Sequence, residues 1–152
     1  MKSTLLSLSL LAAALLFTSE NSFAQKEKKI KDKVLANKVF TVEMAETTGK
    51  KVGKKENDEI SFKSDKLTSK FMTTTEKFPA AAYIVVEVDT TSKPSTVTFM
   101  SEGKDAEGQD IKWEGTISGD DIEGTATVSK KGKVKREFAY TGALKVKGKK
   151  KE

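Results

Sequence analysis

IKWEGTISGDDIEGTATV, residues 111–128, alternates apolar residues or glycine with polar residues on both sides of Gly119-Asp120. A two-residue turn at Gly119-Asp120 is of the kind that β-hairpins favour. Folding the two halves back about this turn gives one apolar face, with the pairs Ile117–Ile122, Gly115–Gly124, Trp113–Ala126 and Ile111–Val128. The opposite face is polar. Because a slip of one residue would invert both faces, the alternation predicts a strongly held register.

A second hairpin is predicted to follow. The segment Lys130-Lys131-Gly132 indicates a three-residue loop, with its glycine in a left-handed conformation that closes a bulge. The resulting pairs would be Val128–Val134, Ala126–Arg136, Gly124–Phe138 and Ile122–Tyr140. In this register the ring of Phe138 covers the gap left by the paired glycines, which we interpret as sites where the sheet bends.

This register also predicts a row of Trp113, Ala126 and Arg136 on the inward face. Trp113 is the sole tryptophan and Arg136 the sole arginine of the chain. An arginine can reach across an alanine and stack its planar guanidinium on an indole. Two roles for Arg136 stay open at this point. It either closes one end of a barrel or binds an anionic group of a ligand.

The same alternation recurs along the chain beyond residue 24, without sustained helical periodicity. It predicts eight strands, at residues 38–44, 59–64, 66–72, 80–89, 95–101, 109–118, 121–129 and 133–146. The inward-facing residues are expected to be Phe40, Val42, Met44, Ile60, Phe62, Leu67, Phe71, Ile84, Val86, Val97, Phe99, Ile111, Trp113, Ile117, Ile122, Phe138, Tyr140, Leu144 and Val146. We therefore predict an all-β fold, an eight-stranded antiparallel up-and-down meander that closes into a barrel.

On Trp113, Arg136 and the meander, the chain resembles the lipocalin, fatty-acid-binding and avidin group of small barrels. Members of that group stack an arginine or lysine on a tryptophan at the closed end. The resemblance implies a small apolar or amphipathic ligand inside the barrel. In lipocalins the tryptophan lies in a Gly-x-Trp motif on the first strand, whereas the first predicted strand here, residues 38–44, has no tryptophan.

The N-terminal 24 residues have the features of a secretory signal peptide. A basic start precedes an apolar run from Leu5 to Phe17, and small residues before Gln25 predict cleavage between Ala24 and Gln25. The run is well short of the ~20 residues needed to span a bilayer. We expect a signal-peptide helix, no membrane span, and a mature bacterial protein that is periplasmic or secreted. A lysine-rich segment at 25–37, a barrel domain at 38–147 and a basic tail at 148–152 complete the predicted organisation.

Catalytic chemistry has few candidate residues in this sequence. The chain has no histidine and no cysteine, which removes the usual general base, thiol nucleophiles and the common zinc, iron and copper ligands. The acidic loop at 105–110 could offer oxygens to calcium but lacks the spacing of a recognised calcium loop. We expect no catalytic residues, no metal and no cofactor, and hence a protein that is not an enzyme.

Two functions remain open. The first is a non-catalytic exported barrel that binds a small hydrophobic or amphipathic ligand, lined by Trp113, Arg136, Phe138 and Tyr140. The second is a filled structural or interaction module that contacts anionic surfaces through a lysine-rich loop at 45–58 and through the lysine-rich tails, which supply much of the net charge of +6. We expect a monomer. We also expect no binding to nucleic acid, because neither basic tail contains an aromatic residue.

Overall fold

The barrel is built from eight antiparallel strands. The computed structural model describes residues 33–47 and 52–146. The strands are β1 (Val39–Glu46), β2 (Lys55–Lys63), β3 (Lys66–Ser69), β4 (Ala81–Asp89), β5 (Thr96–Lys104), β6 (Gln109–Ser118), β7 (Asp121–Lys130) and β8 (Lys133–Leu144), with a short helix α1 (Lys70–Thr74) between β3 and β4. Neighbours in sequence pair with each other and β8 pairs with β1, so the meander closes. The predicted fold class is confirmed, while the signal peptide, its cleavage site and the C-terminal tail lie outside the described residues.

The connections gather at two ends of the barrel. The helix end carries residues 47 and 52–54 between β1 and β2, the β3–β4 connection with α1 (70–80), the β5–β6 loop (105–108) and the β7–β8 turn (131–132). The opposite end, the Leu35 end, carries the three other connections. There the segment before β1 buries the Leu35 side chain, while the Asn37 amide donates to the Phe62 carbonyl at 2.7 Å. Within the described residues, no helix is both long and apolar enough to cross a membrane.

The register of the β6–β7 hairpin is confirmed. Ser118 pairs with Asp121, Gly115 with Gly124 and Trp113 with Ala126. Gly119 has a φ of 62°, and a positive φ at the first central position is what a type II′ turn requires. The apolar face of this hairpin lines the barrel interior, as the alternation predicts.

The predicted register of the β7–β8 hairpin is wrong by two residues. Ala126 pairs with Phe138 instead of Arg136, and Gly124 pairs with Tyr140 instead of Phe138. The offset is the sum of two shifts of one residue each. The first shift arises at the turn, which has two residues instead of the predicted three, because Lys130 pairs with Lys133. The second comes from a β-bulge at Lys135, where the ladder passes from Ser129–Val134 to Val128–Arg136. Two shifts of one residue each leave the inward face beyond the bulge unchanged.

Aromatic rings fill the middle of the barrel. Phe62 makes edge-on contacts with Phe40, Tyr83 and Phe99, at centroid distances of 6.1, 4.9 and 5.0 Å. All four rings are buried. Edge-to-face pairs of this kind stabilise a core beyond the area that they bury. Side chains of the protein therefore occupy the interior near Phe62.

The expected core was wrong at three positions. Ile84, Val86 and Val146 are exposed, whereas Ala81 and Tyr83 of β4 are buried. Every residue from Ala81 to Val86 is apolar or aromatic, so period-2 alternation carries no signal there about which face is inward.

Strand β3 is shorter than the predicted 66–72, because α1 begins at Lys70. Ser69 caps this helix, with its hydroxyl oxygen accepting from the Met72 amide at 3.0 Å. The buried carboxylate of Asp58 on β2 accepts from the Ser69 hydroxyl and, at 2.7 Å, from the Phe71 amide. These bonds fix the start of α1 to the wall of the barrel.

Candidate ligand site at the helix end

The four residues predicted to line a ligand fall into two groups. Trp113 and Tyr140 are buried inside the barrel, with ring centroids 5.6 Å apart. Phe138 is also buried but borders the helix end, and the Arg136 side chain is 36% exposed there. The structure brings Arg136 and Phe138 together at one pocket and leaves Trp113 and Tyr140 in the core beneath it.

Tyr140 covers the paired glycines, a position that the predicted register assigned to Phe138. A Cβ atom added at Gly115 or Gly124 would lie 2.4 Å from the Tyr140 hydroxyl oxygen, so the absence of side chains makes room for the phenol. The hydroxyl donates to the Glu114 carbonyl at 3.1 Å. Burial raises the pKa of Tyr140 above its usual value of 10.0. The phenol is therefore a neutral, hydrogen-bonded part of the core.

Arg136 does not stack on Trp113 as predicted. The two-residue shift moves its backbone to a position opposite Val128, and its guanidinium lies over the Phe138 ring, 4.7 Å from the centroid. Nη1 donates to Glu76 Oε2 at 2.6 Å and Nη2 donates to Glu46 Oε2 at 3.1 Å. Desolvation opposes the charge of Arg136, but the hydrogen bonds to Glu46 and Glu76 outweigh it and raise the pKa of the guanidinium. Arg136 thus joins the β3–β4 connection, β1 and β8.

A half-enclosed pocket of about 180 Å³ lies beside this guanidinium. Its apolar surface comes from Met44, Phe71 and Phe138, and the rings of Phe71 and Phe138 contact each other with centroids 6.1 Å apart. Its polar rim is formed by Glu46, Gly53, Lys54, Glu56 and Arg136. An apolar floor below a polar rim can hold a small amphipathic molecule.

Two cations and two carboxylates line the pocket, and their charges are already paired. Arg136 and Lys54 are cationic, Glu46 and Glu56 are anionic, and the Lys54 ammonium lies 3.0 Å from Glu56 Oε1. Glu46 and Glu76 already hold the guanidinium from two sides. Arg136 is therefore not free to act as the anion anchor that the sequence left open.

The residues of the pocket were predicted in part. Met44, Phe71 and Phe138 were predicted to face inward and Arg136 to line a ligand, and all four line the pocket. Their meeting at one place was not predicted, nor was the ion pair with Glu76, because no local pattern links the β3–β4 connection to a strand some 60 positions later. Lys54 lies within the predicted lysine-rich loop at 45–58, which the sequence analysis singled out for its positive charge and not as part of a pocket.

A second depression, about 340 Å³ and widely open, lies on the outside of the sheet over Gly115 and Gly124. It is bordered by threonines and by Glu114 and Glu123. Because it has no enclosing wall and no apolar side chain at its base, it offers a ligand little desolvation.

The acidic loop between β5 and β6 uses its first carboxylate to form a turn. Asp105 accepts hydrogen bonds from the amides of Glu107 and Gln109, at 2.9 and 2.8 Å, and from the Gln109 side chain. Desolvation alone would raise the pKa of Asp105, but these hydrogen bonds lower it below its usual value. Over residues 33–47 and 52–146, no three acidic side chains are arranged to hold a metal ion.

Comparisons of the chain with protein-family models, with curated proteins and with solved structures gave no match. The similarity to the lipocalin group is therefore one of architecture, a closed barrel of eight antiparallel strands in sequence order.

Proposed function

We propose that this protein is an exported, non-catalytic barrel that binds a small amphipathic molecule at the helix end. The observation that carries the proposal is the pocket of about 180 Å³ between Phe71, Phe138 and Arg136. The leader at residues 1–24 supports export, and the lack of histidine and cysteine argues against catalysis.

The position of the pocket differs from that expected for a ligand-carrying barrel. An eight-stranded barrel is just wide enough either to be filled by side chains or to hold one small ligand. Here Phe40, Phe62, Phe99 and Tyr140 lie almost fully buried in the interior. A ligand that reached Trp113 or Tyr140 would have to displace packed rings, whereas the pocket at the helix end needs no such rearrangement.

Size and charge define the class of ligand. Ligand pockets commonly enclose ~300–1,000 Å³, so a volume of about 180 Å³ suits a smaller molecule than most lipids. The rim has two cations and two carboxylates, and Glu76 adds a third carboxylate on Arg136, so we infer that the polar part of the ligand is neutral or zwitterionic and not anionic. Its apolar part would pack on Met44, Phe71 and Phe138.

A neutral fluorescent probe tests this proposal. 1-Naphthylamine, which is small enough for the pocket, should bind the mature chain, gain fluorescence, and accept excitation energy from Trp113, which lies in the core below the pocket. Phe71→Ser removes an apolar wall without touching the Trp113–Tyr140 contact, and we expect affinity to fall about tenfold, the effect of losing ~1.5 kcal/mol of apolar contact. Val88→Ser, an exposed change at the Leu35 end, is the matched control and should leave affinity unchanged.

Failure of the mature chain to bind this probe and its smaller aromatic analogues would refute the proposal. Equal losses in Phe71→Ser and Val88→Ser would also refute it, because binding would then not depend on the pocket. The second function, a filled interaction module, is supported by the ring packing around Phe62. Residues 48–51 of the lysine-rich loop, residues 25–32 of the N-terminal segment and the C-terminal tail, through which it would act, lie outside the described residues.

A further inference from the structure

The tip of the β7–β8 hairpin is a rigid, cationic projection at the helix end. Lys131 and Gly132 form its two-residue turn, with φ values of 53° and 74°, and Lys130 pairs with Lys133 just below. Positive φ at both central residues is the type I′ geometry, which matches the twist of the flanking strands. Lys131, Lys133 and Lys135 are exposed. The backbone of the lysines is therefore held in place by the sheet, so little conformational entropy is lost when the hairpin binds a partner.

The hairpin lysines are not paired with acidic side chains among the described residues. Glu46 and Glu76 hold Arg136, and the Glu137 carboxylate accepts from the Thr47 hydroxyl. In the same way Glu56 pairs with Lys54 and Asp110 pairs with Lys104, at 3.0 and 3.2 Å. Across residues 33–47 and 52–146, none of the three hairpin lysines takes part in a salt bridge. The three ammonium groups of the hairpin are thus left to solvent or to a partner.

Aliphatic side chains accompany the lysines. Val134 is 61% exposed, because it precedes the bulge at Lys135 and so lies on the outer face, opposite Ser129. Val52, in the β1–β2 loop, is 70% exposed. Thr47, which follows β1, lies beside β8, where its amide donates to the Glu137 carbonyl at 2.7 Å. Cationic side chains interspersed with exposed aliphatic ones are typical of surfaces that sit in the interface of an anionic bilayer.

We propose that the β7–β8 hairpin docks the barrel on anionic lipid bilayers. Lys131, Lys133 and Lys135 would contact lipid phosphates, and Val134 would enter the boundary between headgroups and acyl chains. A soluble polyanion would satisfy the lysines equally but would give Val134 no apolar environment. This docking goes beyond the ligand-binding proposal and does not depend on it, although it would turn the pocket toward the membrane.

Vesicle co-sedimentation of the mature chain, residues 25–152, tests the proposal. The protein should bind phosphatidylcholine vesicles that contain about 30% phosphatidylglycerol and not pure phosphatidylcholine vesicles. The triple variant Lys131→Gln, Lys133→Gln, Lys135→Gln should lower the partition coefficient roughly 100-fold, about fivefold for each lysine. The matched control changes Lys63, Lys66 and Lys93 to Gln, which removes the same charge at the Leu35 end, and it should lower partitioning less than about threefold.

A fourth variant separates lipid from other polyanions. Val134→Ser should weaken vesicle binding about fivefold and leave heparin binding unchanged, whereas Val86→Ser, an exposed valine on β4, should alter neither. Circular dichroism and thermal melting verify that each variant is folded. Equal losses from the two triple variants would overturn the proposal by assigning binding to overall charge. If Val134→Ser bound vesicles as well as the parent, the hairpin would be assigned to soluble polyanions. Binding of the parent to heparin but not to anionic vesicles would lead to the same assignment. Either result would overturn the proposal.

Discussion

The β6–β7 and β7–β8 hairpins share a strand but differ in what holds their register. In the first, a two-residue turn leads into an unbroken ladder of ten pairs, from Ser118–Asp121 to Gln109–Lys130. In the second, a turn of equal length is followed by a bulge at Lys135. Apolar alternation distinguishes the two faces of a strand, but it cannot distinguish registers that differ by two residues. The observed register of the β7–β8 hairpin differs from the predicted one by such a two-residue offset.

The two-residue offset determines the chemistry of the helix end. It moves Arg136 away from Trp113 to the Phe138 ring, within reach of Glu46 and Glu76. It also places Tyr140 over the paired glycines. Four substitutions or deletions test this comparison.

Gly124→Ala should have the largest effect. The new Cβ would lie 2.1 Å from the Glu114 carbonyl oxygen and 2.4 Å from the Tyr140 hydroxyl, and the backbone oxygen cannot move without breaking the β6–β7 ladder. We expect a loss of at least ~4 kcal/mol in the free energy of unfolding, measured by urea denaturation. Gly108→Ala has open space around it and a φ of +76°, so it should cost only ~1 kcal/mol from backbone strain. Similar costs for both changes would contradict the close approach at Gly124.

Tyr140→Phe should cost about 1–2 kcal/mol at neutral pH, because the Glu114 carbonyl loses a donor. The variant also has a pH signature. The pKa of Tyr140 is raised in the folded state, so the folded protein retains the phenol proton at pH values where the unfolded chain loses it. Stability is therefore lost as pH rises above about 10, and Tyr140→Phe should lose less than the parent between about pH 10 and 12. Parallel stability curves over that range would show that Tyr140 is not buried.

Arg136→Lys should lower the free energy of unfolding by about 0.5–1 kcal/mol. An ammonium group cannot match the planar fork that lies on Phe138 while binding Glu46 and Glu76 on separate nitrogens. Thermal melting should show this decrease, and Lys112→Arg on the outer face should not. An unchanged melting temperature for Arg136→Lys would mean that the guanidinium contributes no geometric specificity.

Deletion of Lys135 should have the smallest effect, less than ~1 kcal/mol. Removing the bulged residue would let Ser129–Val134 continue directly to Val128–Arg136, so every inward residue would keep its face. Deletion of Thr127 from β7 is the counterpart, because it would invert one side of an unbroken ladder and should prevent folding. Both results can be read from circular dichroism and Trp113 fluorescence. A Lys135 deletion that fails to fold would show that the bulge is required.

Much of the fold could be predicted from the sequence because alternation is a local signal. It located all eight strands and gave the complete β6–β7 register. The inward face of β4 could not be predicted, since residues 81–86 are apolar without interruption. The pocket could not be predicted either, because Phe71, Glu76 and Arg136 meet only through barrel closure and through the offset at Lys135. Sequence patterns that extend over a few residues indicate neither the closure of the barrel nor the position of the offset.

The even number of strands has a practical consequence. The chain enters the barrel beside Leu35 and leaves it after Leu144, which pairs with Phe40 at the same end. Lys145 remains at that end, where its amide donates to the Val39 carbonyl. Residues 33–38 and 145–146 therefore lie at the end of the barrel opposite the pocket and the β7–β8 hairpin, so an affinity tag, fluorophore or surface tether attached at residue 33 or 146 would leave the helix end free.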